Sequence, residues 1–245
     1  MRICFVCISL RAGGTERIVS LLANHLVDRH EVAVLLLTSA APFYEIDSRV
    51  QLLRPNFRSR KNEGLLWYPR IIGHVFRNLR KFRPDLGLVF GETIAAFILS
   101  VSASLRIRTL VFNRASPNSS LQGKRGLINP LLYPLAYRVV LQTEKAVGLI
   151  AGRYRFCRFS VWPNPVFIPP SVSELARRPR VIMNVGTLGG KKNQQALVRA
   201  FFACANRSEW RLVFVGDGPE KQRLHRLCDA LVISSQVDFV GERSD

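Results

Sequence analysis

The sequence predicts an α/β protein built on parallel sheets and arranged as two successive units. Three observations predict it. Short, nearly continuous apolar runs recur along the chain, as strands covered on both faces require. Stretches with apolar residues at three- and four-residue steps alternate with them. A proline-rich interruption at 163–170 breaks this alternation, which then restarts.

The elements follow in order. Residues 2–9 (RICFVCIS) read as a first strand. Residues 11–14 make a turn, and residues 15–29 carry Ile18, Leu21, Leu22, His25 and Leu26 at helical spacing. Residues 31–38 (EVAVLLLT) form a second strand, so the chain opens with a βαβ unit whose first crossover starts at a Gly-Gly turn. Further strands are expected at 50–53, 85–90, 109–113 and 138–142, with helices at 64–82, 92–104, 124–135 and 144–154. This gives a first domain over 1–165 and a linker over 166–179. The second domain, 180–245, is expected to hold strands at 180–185, 211–215 and 237–240 and helices at 193–206 and 220–232. A nucleotide-binding α/β domain usually needs roughly 100 residues or more, so this second domain is expected to be incomplete.

Composition narrows the function. The chain has 245 residues, 48% hydrophobic and 22% charged, which excludes a disordered protein. The weakly polar stretch 86–104 carries Glu92, and a bilayer span needs about 20 apolar residues, so no spanning helix is expected. Only residues 3–10 are apolar at the N-terminus, with no small-residue cleavage site after them, so no secretory signal is expected. Five cysteines, an odd number, point to reduced thiols and a cytoplasmic location. Cys4 and Cys7 form a C-x-x-C on a strand, where residues three apart face opposite sides. Two buried thiols fit better there than a metal site, and no metal or cofactor is expected.

The charge is large and uneven. There are 36 Lys+Arg against 17 Asp+Glu, a net of +19. Residues 1–165 hold 24 basic and 9 acidic side chains, a net of +15, which calls for an anionic partner. In 64–82, Leu65, Tyr68, Ile72, Val75, Phe76, Leu79 and Phe82 recur as a helical stripe, which Leu66, Trp67 and Ile71 broaden, with Arg70, Arg77, Arg80 and Lys81 largely off it. Such a basic amphipathic helix suits peripheral contact with an anionic membrane surface. A core-packed helix with a solvated basic face reads the same way. Nucleic acid is not expected as a partner, because zinc spacing, an RNA-recognition aromatic motif and a helix–turn–helix pattern are all missing.

Gly13-Gly14-Thr15-Glu16-Arg17 joins the first strand to its helix. Glycines there let backbone amides approach a ligand, and a helix N-terminus favours anions. A tight structural turn would use the same glycines. The segment GGTERIVSLLANHLVDRHEVAVL, then Asn113-Arg114-Ala115-Ser116-Pro117, then Pro163-Asn164-Pro165-Val166, resembles the N-terminal half of family 4 glycosyltransferases. NVGTLGGKKNQQALVRAFFACA, LVFVGDGPEKQRLHRLCDAL and VDFVGERSD resemble the start of their C-terminal half.

That resemblance implies a GT-B architecture, with two Rossmann-like domains facing across a cleft. It implies sugar transfer from a nucleotide-sugar donor to a lipid-linked or polysaccharide acceptor, with retention of configuration and without a metal. The nearest likeness is to enzymes of bacterial surface polysaccharide, lipopolysaccharide and lipid-linked oligosaccharide assembly. Gly13 and Gly14 match the turn against the donor diphosphate, and Lys192 the lysine that neutralises it. Arg114 matches an acceptor-side loop, where a guanidinium meets phosphate or sugar hydroxyls. Gly216, Asp217 and Gly218 match a mainly structural turn. No catalytic residue is assigned. The chain departs from the pattern in three ways. Thr187 stands where the family usually has an arginine. None of His25, His30, His74 and His225 lies in a loop at the expected cleft. The sequence stops before the paired-glutamate motif. A non-catalytic relative that binds membrane or lipid-linked glycan is therefore the alternative reading.

Overall fold

The computed structural model describes residues 1–57, 67–114, 123–166, 178–204 and 207–243. Leu65 of the stripe, positions 115–117 of the NRASP segment and most of the expected linker lie outside these residues. The chain divides into two compact units, Met1–Val166 and Phe167–Asp245.

The first unit holds a seven-stranded, all-parallel sheet. In chain order its strands are β1 (Arg2–Cys7), β2 (Glu31–Leu36), β3 (Gln51–Leu53), β4 (Leu86–Phe90), β5 (Arg108–Phe112), β6 (Arg138–Leu141) and β7 (Phe159–Val161). Its helices are α1 (Gly14–Leu26), α2 (Trp67–Phe82), α3 (Glu92–Ser104), α4 (Gly123–Leu132) and α5 (Glu144–Ile150). The spatial order is β3-β2-β1-β4-β5-β6-β7. The order reverses between β1 and β4, where open α/β sheets bind their ligands.

The sheet is buried on both faces. One layer joins Ile71, Val75 and Leu79 of α2 and Ile98 of α3 to Cys4, Val89 and Val111. The other joins Ile18, Val19 and Ala23 of α1 to Phe5, Cys7, Phe90 and Phe112. Cys4 and Cys7 therefore sit in opposite layers, as the strand spacing predicts, and both are free thiols. Burial pushes the Cys4 thiol up to about 12 and raises Cys7 as well.

Two features differ from expectation. β7 is absent from the sequence reading because it is three residues long and only partly buried. In α2 one residue of the expected apolar face turns outward: Ile71, Val75, Leu79 and Phe82 are buried together with His74, while Ile72 is exposed. The helix packs on β2 and α3, and this sets which side faces inward. His74 contributes a ring hydrogen bond to Leu36 O at 3.0 Å, and burial lowers its pKa. Val75, Leu79 and Phe82 of the stripe are thus spent on the core, and Arg70, Arg77, Arg80 and Lys81 are exposed.

The second unit holds a three-stranded parallel sheet, order β10-β9-β8. Its strands are β8 (Val181–Val185), β9 (Arg211–Val215) and β10 (Val237–Gly241), and its helices are α6 (Gln194–Ala203) and α7 (Lys221–Ala230). Val198 and Phe201 of α6 and Leu224 and Cys228 of α7 cover Leu212 and Phe214 on one face. Met183 and Val185 are exposed.

Candidate functional site

Because the first sheet is all parallel, the loops after β1, β4, β5 and β7 open along one edge. The loop after β1 ends in Gly13, the N-cap of α1, with an extended backbone (φ 177°, ψ 155°). A Cβ on Gly13 would run into the Glu16 carboxylate, which folds back over the turn. A Cβ on Gly14 would meet nothing within 4 Å. The first turn of α1 is therefore open above Gly14, at the positive end of a helix dipole, with the Glu16 carboxylate accepting its own backbone N–H beside it. Burial raises the Glu16 pKa.

Glu92 opens α3 directly after β4. It is buried, and its carboxylate accepts the backbone N–H of Arg114 at the end of β5. The Arg114 guanidinium lies 5.2 Å from the centroid of Phe112 and 5.6 Å from that of Phe90. Those two rings are themselves stacked at 4.3 Å and 8°. One terminal nitrogen of Arg114 donates to the side-chain oxygen of Asn164, in the loop after β7. Its Nε is buried with no hydrogen-bond partner among the described residues. Burial lowers the Arg114 pKa, and the Glu92 charge opposes that shift. A planar cation held on two rings, with donors to spare, is suited to phosphate or vicinal hydroxyls.

Asn129 ties α4 to this cluster. Its side-chain amide donates to Glu92 O at 3.4 Å and to the Tyr133 hydroxyl at 3.3 Å. The structure thus places Gly13, Gly14 and Arg114 on loops along one sheet edge and adds Glu92 and Asn164. Glu92 was visible in the sequence only as a lone acid interrupting an apolar stretch. Its partner lies 22 residues away, on the neighbouring strand.

The second unit carries Lys192 on the 3₁₀ turn Gly190–Lys192, where it is exposed. The turn ends at Asn193 in the left-handed conformation (φ 51°), and α6 begins after it. Buried Gln194 anchors the loop by donating to Thr187 O at 2.9 Å. The Gly216-Asp217-Gly218 turn packs against this same loop. Leu188 N–H donates to Asp217 O at 3.0 Å, and Glu220 N–H donates to Leu188 O at 3.1 Å. Cβ atoms on Gly216 and Gly218 would overlap the Gly186 and Leu188 carbonyls. Asp217 accepts its neighbour's Gly218 N–H at 2.7 Å, and this hydrogen bond lowers its pKa. Arg77 of α2 donates from Nε to Gly73 O of its own helix at 3.1 Å.

The family described as "Glycosyl transferases group 1" matches residues 170–245. An uncharacterized glycosyltransferase of Haemophilus influenzae is 24% identical over 96% of the chain and 67% of its own length. The amylovoran biosynthesis glycosyltransferase AmsD of Erwinia amylovora is 25% identical over 87% of the chain and 61% of its own length. A Campylobacter jejuni α-1,4-N-acetyl-D-galactosaminyltransferase, named for a diNAcBac-PP-undecaprenol glycan, is 23% identical over 98% of the chain and 68% of its own length. The chain thus spans about two thirds of the length of these relatives. Among solved structures, Anabaena HepE in complex with UDP-glucose superposes with a TM-score of 0.72 at 18% identity, over 99% of the chain and 69% of its own. The likeness extends to other GT-B structures such as the lipopolysaccharide galactosyltransferase WaaB, with a TM-score of 0.65. The profile described as "Glycosyltransferase Family 4" matches residues 12–168, more than half of the chain, and the chain belongs to that family.

Proposed function

We propose that the chain supplies the acceptor-binding and part of the donor-binding machinery of a retaining glycosyltransferase. It transfers a sugar from a nucleotide-sugar to a lipid-linked or polysaccharide glycan in bacterial cell-surface assembly. The observation that carries this reading is Arg114, stacked on Phe90 and Phe112, anchored to Asn164 and Glu92, at the carboxyl edge of a parallel sheet. Relatives named for amylovoran biosynthesis and for an undecaprenol-linked glycan support the acceptor class. A fold neighbour solved with UDP-glucose supports the donor class.

In this reaction the bond between the donor's anomeric carbon and the diphosphate breaks. A new bond forms to an acceptor hydroxyl, whose proton passes to an oxygen of the departing diphosphate. The developing charge rests on the diphosphate, for which this reading assigns Lys192 in the second unit; the Gly13-Gly14 turn of the first unit is a separate donor assignment. Arg114 holds the acceptor. The charge is balanced by side chains and amides in place of a metal, so EDTA is expected to leave transfer unchanged.

Calorimetry with UDP and GDP tests the donor assignment. Saturable binding to one of them is expected. Lys192→Ala is expected to weaken it at least tenfold, since Lys192 is exposed and its removal leaves the core untouched. Gly14→Ala is expected to weaken it without lowering the unfolding temperature, because the added methyl meets only open space. No binding of either nucleotide would leave the non-catalytic reading, favoured by Thr187 at the position of the family's arginine. In that reading the chain binds a lipid-linked glycan without transferring to it.

A further inference from the structure

The sequence points to α2 for contact with a membrane, but the apolar face of α2 is buried in the core. An exposed apolar surface lies on a different element. On α4 the inward side is Gly126, Asn129 and, just beyond the helix, Tyr133. The outward side carries Leu127 and Leu131, one turn apart and 67% and 78% exposed, with Ile128 beside them. Phe156, in the loop after α5, is 84% exposed. Two contacts join that loop to α4. Arg153 donates from Nε and Nη2 to Gly126 O at 3.2 and 3.0 Å, and Tyr154 packs on Tyr133 at 5.3 Å. The loop and the helix therefore form one supported surface.

Its charge selects the partner. Residues 123–158 contain seven Lys or Arg and a single acid, Glu144. Arg155 and Arg158 flank Phe156 and are exposed. Apolar side chains set among cations fit the interface of an anionic bilayer, where apolar groups enter the acyl boundary and cations meet headgroup phosphates. A single exposed leucine needs no explanation, but this run with an aromatic at its tip does.

We infer that the outward face of α4, with Phe156, is the surface by which the chain docks on an anionic membrane. The inference rests on the lipid-linked acceptor proposed above and adds where that lipid is met. Asn129, on the opposite side of α4, bonds to Glu92, which holds Arg114. Docking on α4 therefore places the acceptor-binding arginine two hydrogen bonds from the bilayer-facing helix.

Vesicle co-sedimentation without any substrate tests this. The protein is mixed with vesicles of equal phosphatidylcholine and phosphatidylglycerol, and with phosphatidylcholine alone. Binding to the anionic vesicles is expected. The combined variant Leu127→Ser, Leu131→Ser, Phe156→Ser is expected to lose at least tenfold in partitioning while keeping its unfolding temperature, because all three side chains are exposed. Phe156→Trp is expected to add a blue-shifted emission, relative to the parent chain, when anionic vesicles are present. Unchanged partitioning of the triple variant, or no shift from the new tryptophan, overturns the inference. So does dissociation of a dimer by the triple variant with vesicle binding intact. Loss of nucleotide binding with vesicle binding preserved defeats the transferase reading alone.

Discussion

Gly216→Ala is expected to destabilise the second unit by about 3 kcal/mol or more. Two effects combine. The residue sits at φ +136°, which L side chains rarely adopt, and its methyl would overlap the Gly186 carbonyl, a backbone group that cannot rotate away. Gly216 N–H also donates to Gly241 O at 2.7 Å, so any shift of the turn pulls on the end of β10. Gly186→Ala is the control. Gly186 has a similar φ of +145° but open space at the Cβ position, so it carries strain without overlap and is expected to cost roughly 1–3 kcal/mol. Hydrogen exchange resolved on β8–β10 peptides measures both. Equal protection in the two variants would mean that the loop carrying Thr187 and Leu188 yields to accommodate the methyl.

Phe112→Ala is expected to cost the first unit about 3–5 kcal/mol, the usual range for a fully buried phenylalanine. The loss reaches further than a cavity. Phe112 is stacked on Phe90, meets Trp162 edge-on at 5.6 Å and carries the Arg114 guanidinium. Removing the ring leaves Arg114 half its platform. Denaturant unfolding of Phe112→Ala, Arg114→Ala and the double variant gives the coupling between ring and cation. A coupling of about 0.5 kcal/mol or more is expected, in the range of cation–π contacts. Strictly additive losses would show that the guanidinium is held by Asn164 and Glu92 alone. Arg114→Lys keeps the cation but not the planar guanidinium, and is expected to keep only part of the coupling.

The elements that were legible in the sequence are those with a strong period or a continuous apolar run. β1, β2, β4 and β5 each bury every residue after the first, so their strings are almost wholly apolar once past a charged or polar start in β1, β2 and β5. Ends were less legible than middles. The reading of 193–206 as helix begins one residue early, because Asn193 is left-handed. It also runs past Ala203, where Cys204 turns extended. The expected helix 124–135 ends at Leu132, and a 3₁₀ turn completes it at Pro134, which has no N–H to donate. That Ile72 leaves the apolar face of α2 was out of reach, because Ile71 and Ile72 are equally apolar and only the packing partners decide which one faces inward. At the site, Gly13, Gly14 and Arg114 were visible because they fall in loops at strand ends. Glu92 stood there as a lone acid and Asn164 as part of a motif, without roles, since each acts through Arg114, 22 and 50 residues away.

The two cysteines of β1 have a practical consequence for following the unfolding of this molecule. They are three residues apart on one strand, yet each is sealed beneath a different set of helices. A brief pulse of alkylating reagent during denaturation therefore keeps two clocks on one peptide. Cys4 is modified when the layer under α2 and α3 peels off, and Cys7 when the layer under α1 does. Mass spectrometry of that single fragment separates a sheet shed from one side first from a sheet that loses both coats together.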